Sequence, residues 1–142
     1  MKKNAGNSFQ LVSNPNTGYS ASHEILQIDS PRNRVDGPWL VVHKNVEDRW
    51  VIVLLHWSDN KSSMSKPCLG IRWFHGSQGT PSVRQYATWL IIPDDLTNAV
   101  LDKLPLSPQK RQVINEVLLG KRKLKELMKE RRQSKNFTGI SI

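Results

Sequence analysis

Hydrophobic positions along this chain follow two different periods. Between residues 39 and 92 they gather in short β-branched and aromatic runs, WLVVH at 39–43, RWVIVLLHW at 49–57, CLGIRWF at 68–74 and TWLII at 88–92. Such runs, bounded by polar and turn-forming residues, predict strands. Arg49–Trp57 is apolar almost throughout, as a central strand covered on both faces is. Cys68–Phe74 alternates, with Leu69, Ile71 and Trp73 on one face and Gly70, Arg72 and Phe74 on the other. Lys44–Asp48 predicts a hairpin connection, and the shorter run His23–Asp29 a first strand.

From Pro93 onward the spacing changes. Pro93-Asp94-Asp95 predicts a helix start with Asp94 as N-cap, and the helix stops before Pro105. Ser107 and Pro108 predict a second start, as N-cap and first helical residue. Val113, Ile114, Val117, Leu118, Leu124, Leu127 and Met128 recur at helical spacing, which predicts one basic amphipathic helix over Pro108–Gln133. Strands first and helices afterwards define an α+β order. The expected division is an arm at 1–22, too poor in apolar residues to offset the entropy of ordering, then a sheet with a short helix at 23–104. The basic helix at 105–135 and a frayed tail at 136–142 complete it.

Charge adds a partner to this picture. The chain has 142 residues and a net charge of +9. Residues 104–142 carry ten Lys and Arg against three Asp and Glu, so +7 of the excess lies there. A basic segment attached to a near-neutral body points to a polyanion, and nucleic acid is the expected partner. Cys68 is the single cysteine, which excludes an internal disulfide and a cysteine-based zinc site. The four histidines show neither HxH nor HExxH spacing, so no metal is expected, and no cofactor motif is present. No apolar run approaches the roughly 18–20 residues of a membrane span. Met1-Lys2-Lys3 is not followed by an apolar leader, and the expected location is cytoplasmic.

Candidate contacts divide between sheet, loop and helix. The five tryptophans all lie between Trp39 and Trp89; three are expected in the core, with Trp39 and Trp57 exposed. Trp57, with Arg72 and Phe74 facing outward beside it, would stack on bases while cations track the phosphates. The loop GIRWFHGSQGTPSVRQYATW (Gly70–Trp89) contains a G-x-x-G pattern, but it lies between strands rather than helices and no Gly-Lys-Ser/Thr follows. Its glycines therefore predict turns, leaving Arg84 and Tyr86 as its candidates for phosphate pairing and base stacking. Lys121, Arg122 and Lys125 are the candidates on the basic helix.

The segment Trp39–Phe74 resembles the single-stranded-DNA-binding domain of the positive cofactor four family. The likeness is carried by WLVVHKN, RWVIVLLHW, SDNKSSMS, KP and LGIRW, with His23–Asp29 in the place of the family's first strand. The resemblance implies curved antiparallel strands followed by a helix, and a homodimer with single strands lying across its sheets. It places Lys61, Lys66 and Arg72 in the family's basic loop and strand, and Trp57 as its stacking aromatic. The chain departs from the family where the Gly70–Trp89 loop and TWLII intervene before the first helix. The expected fold class is then α+β, a curved antiparallel sheet of four to five strands followed by two C-terminal helices. The expected function is non-enzymatic binding of nucleic acid, single strands favoured, by a homodimer. Two alternatives stand beside it. One is a small nuclease using His56, His75, Arg84 and Tyr86; the other is a protein-interaction module exposing Ile114, Val117 and Leu118.

Overall fold

The computed structural model describes residues 9–12, 24–27, 31, 33–58, 65–74, 80–83 and 86–127. Its centre is a four-stranded antiparallel open sheet in the order β3-β4-β5-β8, with β3 at Val35–Asn45, β4 at Trp50–Trp57, β5 at Lys66–Trp73 and β8 at Leu90–Ile91. Two helices follow, α1 (Asp94–Lys103) and α2 (Pro108–Leu118). Two further pairs lie outside this sheet. β1 (Phe9–Val12) runs parallel to β2 (Glu24–Gln27), and β6 (Ser82–Val83) pairs antiparallel with β7 (Tyr86–Ala87). Phe9–Val12 is thus a strand inside the stretch expected to be an arm.

β4 is the interior strand that its composition predicts. Val51, Val53 and Leu55 on one face and Leu54 on the other are fully buried, and Ile52 is 3% exposed. The Ile52 and Leu54 face is the helical one: Leu40, Val42, Leu69 and Ile92 join Leu101 of α1 and Ile114 and Val117 of α2 there. The opposite face gathers Val35, Val51, Val53, Leu55, Cys68, Phe74 and Trp89, with Trp39 and Trp57 packed against them. Alternation along β5 also holds, since Leu69 and Ile71 pack on the first face and Cys68 and Phe74 on the second.

β3 begins four residues before the WLVVH run, through Asp36-Gly37-Pro38. Its register against β4 shifts between Asp36 and Leu40, and this irregularity accommodates Pro38 on an edge strand. The β3–β4 connection is a turn in which Asn45 Oδ1 accepts the Asp48 N–H at 2.8 Å. It closes on Arg49, at a left-handed φ of 60°. That conformation costs about 1–2 kcal/mol for a residue with a Cβ. Two bonds to one partner hold it: Arg49 O accepts the Phe74 N–H and Arg49 Nε donates to Phe74 O, both at 2.8 Å.

The helices begin as expected in one case and not in the other. Ser107 caps α2, its hydroxyl accepting the Lys110 N–H at 3.1 Å, with Pro108 in the first turn. The N-cap of α1 is Pro93 rather than Asp94, and no side chain caps it. Asp94 and Asp95 lie instead in the first turn, where carboxylates oppose the positive end of the helix dipole.

α2 does not continue to Gln133. It ends at Leu118, with Gly120 at a φ of 80°. The Gly120 N–H donates to Val117 O at 3.0 Å and the Lys121 N–H to Glu116 O at 2.8 Å. This is the two-bond Schellman stop, which requires a left-handed residue that glycine supplies without a Cβ clash. The chain then turns, and helical residues 124–127 return Leu124 and Leu127 to the core beside Ile114. The helical apolar spacing survives because both segments pack on the same cluster. Replacement Gly120→Ala is expected to lower the free energy of unfolding by about 1–2 kcal/mol, read from the urea midpoint.

Candidate functional site

The expected contact residues separate into three environments. At one end of the sheet, Trp57 lies opposite Val35 on β3 and Lys66 on β5. Trp57 and Trp39 are half-buried against the non-helical core face, so each presents part of an indole to solvent. Lys66 is exposed and ion-paired with Asp94 at 3.7 Å. Such a pair is screened and weak, and it leaves Lys66 available to a stronger anion.

The second environment corrects an expectation. Arg72 and Phe74 do not face solvent: Arg72 is 1% exposed and Phe74 fully buried. The Arg72 guanidinium lies 4.1 Å from the centroid of the Trp89 ring, and Nε donates to Thr88 O at 2.8 Å. Arg72 therefore acts inside the fold, stacking on Trp89 and tying the segment before β8 to β5. The facing position is Gly70, where a Cβ would meet Trp89 Cβ and Cε3 at 3.2 Å. Trp89 reaches the sheet because Gly70 has no side chain and Arg72 holds the indole from beside it. Trp89 is also the one tryptophan that is buried; Trp50 and Trp73, expected in the core with it, are half-buried. A wide indole on a four-stranded sheet rarely loses all its exposure. Substitution Arg72→Leu strands the Thr88 carbonyl and is expected to cost about 1–3 kcal/mol of stability in urea titration.

The third environment lies on the helical side. Arg111 Nη2 bridges α2 to α1 through Asp102 at 3.1 Å and Asn98 at 3.3 Å. The Schellman turn after α2 carries Lys121 and Arg122; Lys123 follows it and Lys125 lies in the helical residues 124–127. Arg122 is paired with Glu116 at 3.4 Å. Lys121, Lys123 and Lys125 are exposed, and none forms an ion pair with another described residue. Leu124 between them is fully buried, so the turn is anchored while its lysines point away. Leu119, 69% exposed, completes the turn. The search for apolar periodicity passed over Leu119 because it lies off the buried stripe; the signal was the Leu119-Gly120 pair at the end of a helical run.

Lys61 and Arg84 lie outside the described residues, as does His75. Tyr86 is in β7, opposite Val83. Trp73 and Thr80 exchange two backbone hydrogen bonds of 2.8 Å, and Tyr86 lies beyond that closure. His56 pairs with Pro67 at the start of β5, whereas Trp50 pairs with Trp73 at its end. Six residues of strand separate His56 from Trp50, about 20 Å. His56 is thus remote from the strand end that leads into the loop. Of the residues expected to be exposed in an interaction module, Ile114 is fully buried and Val117 1% exposed, both in the core, while Leu118 is half-buried against it. Trp57 and the lysine turn are anchored in opposite core faces, so the sequence candidates form two places and not one groove.

A half-buried pair of basic groups, His43 and Lys110, was not anticipated. His43 lies 5.3 Å from the Trp50 ring, tilted by 52°. Burial first, and the Lys110 ammonium second, hold its pKa below the usual imidazole value. Burial likewise lowers the pKa of Lys110 and of Lys44. Because the unfolded chain binds a proton on His43 more tightly, stability declines as pH falls below the unfolded value of 6.5. Replacement Lys110→Met is expected to raise the His43 pKa while leaving it below 6.5, since burial is the larger cause, and to shallow that acid-side loss. Proton NMR titration of the imidazole and urea midpoints across pH 5–7 measure the two effects.

No family model, curated protein or solved structure matches this chain. Among the described residues no group of three or more His, Cys, Asp or Glu is placed to hold a metal ion. No helix among them is long and apolar enough to cross a membrane.

Proposed function

We propose that this protein binds nucleic acid electrostatically, without acting on it chemically, through the turn that follows α2. The observation that carries the reading is that Lys121, Lys123 and Lys125 are exposed and unpaired among the described residues on a turn anchored by buried Leu124. An ordered cationic turn loses little side-chain and backbone freedom on meeting phosphates, and it releases the counterions that phosphates had condensed. The +7 balance of residues 104–142 supports the same partner.

Half-buried Trp57, beside Lys66, and half-buried Trp39 favour unpaired bases as a second point of contact, since an indole face stacks on any exposed base. Their place on the opposite core face suits a strand that wraps an edge of the domain, or one shared by two copies. This reading keeps the homodimer, the cytoplasmic setting and the likeness to the positive cofactor four family as parts of the proposal. The distance of His56 from the loop-bearing end of β5 weighs against the nuclease alternative.

The test is fluorescence anisotropy with labelled single-stranded and duplex oligonucleotides over a salt series. The triple variant K121A/K123A/K125A is expected to flatten the slope of log K against log salt by about 2 for single strands and nearly 3 for duplex. Absence of binding to either oligonucleotide at low salt rejects the function.

A further inference from the structure

We propose that Leu119 is a wedge that enters between the bases of the nucleic acid held by the neighbouring lysines. This rests on the nucleic-acid reading and specifies what that site recognises: an unstacked or readily unstacked base step rather than a smooth duplex. Leu119 is the most exposed large apolar side chain among the described residues, at 69%, ahead of Leu96 at 53% and Leu90 at 52%. Single exposed leucines are ordinary on protein surfaces. This one differs in its backbone and in its neighbours.

Its backbone is fixed. The Leu119 N–H donates to Asn115 O at 2.9 Å, and the next three residues donate in turn to Val117 O or Glu116 O. Arg122 adds a side-chain bond to Glu116 at 3.4 Å. A Schellman stop usually packs an apolar residue just beyond the glycine back onto the last helical turn. Here that position is Lys121, which is exposed, and the apolar residue stands before the glycine and points outward. The result is a leucine held at the tip of a rigid turn and followed by three solvated lysines.

Cations that grip the backbone beside an apolar side chain that slides between bases are how kinking proteins open a base step. Unstacking costs a few kcal/mol in regular duplex and less at a bulge or in a single strand, so the wedge selects for steps that already open easily. An interior apolar docking site would need a groove, whereas a projecting side chain needs a slot in its partner, and an opened base step is one.

The test uses a duplex with a single-base bulge flanked by 2-aminopurine, whose emission rises when its neighbours unstack, and the matched duplex without a bulge. Wild-type protein is expected to prefer the bulged duplex and to raise its emission. Leu119→Ala, which removes an exposed side chain and should leave the urea midpoint unchanged, is expected to bind the bulge about tenfold more weakly and to abolish the rise. Its salt slope should equal that of the wild type, and Leu119→Met, which keeps an apolar chain of similar reach, should restore the emission. Unchanged affinity and emission for Leu119→Ala overturn the wedge while the nucleic-acid function stands. Failure of the wild-type protein to bind any oligonucleotide at low salt overturns both. Leu119-dependent binding to phosphatidylserine vesicles without oligonucleotide binding also overturns both and makes the turn a membrane contact.

Discussion

The fold depends on covering β4 twice. Val51, Val53 and Leu55 face one way and Ile52 and Leu54 the other, and none is more than 3% exposed. A strand of this kind cannot end a domain with one face in water, because each fully exposed side chain would forfeit roughly 1.5–3 kcal/mol. The two helices and the turn at 124–127 answer one face with Leu101, Ile114, Val117, Leu124 and Leu127. The other face has no helix among the described residues, and the indole of Trp89 is its largest buried contribution. Gly70 and Arg72 make that possible, one by leaving space and the other by stacking. The chain between β5 and β8 is thus a structural return that brings Trp89 to a face the helices cannot reach.

Much of this was legible in residue pattern. Unbroken apolarity of Arg49–Trp57, alternation in Cys68–Phe74, and the Ser107-Pro108 start each have a local cause, and local causes can be read locally. Arg72 could not be. Its place on the Phe74 side was evident from alternation, but whether that side met water depended on Trp89, which lies in another strand's approach. The length of α2 failed for a different reason. Helical spacing of Val113 to Leu127 was real, yet it came from two segments packed on one cluster with a glycine stop between them. Gly120 at φ 80° was the local signal that should have outweighed the periodicity.

The candidate site was legible in part. Lys121, Arg122 and Lys125 were evident from charge alone, and the structure adds that Arg122 is tied to Glu116. Trp57 and Lys66, named separately from the sequence, are paired across adjacent strands. What spacing could not convey was their division between opposite core faces, which follows from β4 parity and from where Leu124 is buried. Leu119 went unseen for a related reason. Sequence reasoning looks for apolar residues that agree with a stripe, while a projecting side chain is one that disagrees with it.

The positive charge of this protein therefore has two physical characters. Lys110 is half-buried and Lys44 exposed at its strand's end, and desolvation lowers the pKa of each. The Lys110 ammonium also lies close enough to His43 to disfavour the imidazolium there. Lys121, Lys123 and Lys125 are exposed, on a segment held at the backbone by Gly120 and by buried Leu124. Equal formal charges thus contribute unequally to attraction, and the solvated set is the one whose counterions a polyanion can release. The stop at Gly120 is what creates that set. A helix continuing from Leu118 would have carried Leu119 and these cations on its circumference, whereas the chain instead turns at Gly120 and leaves Leu119, Lys121, Lys123 and Lys125 all exposed.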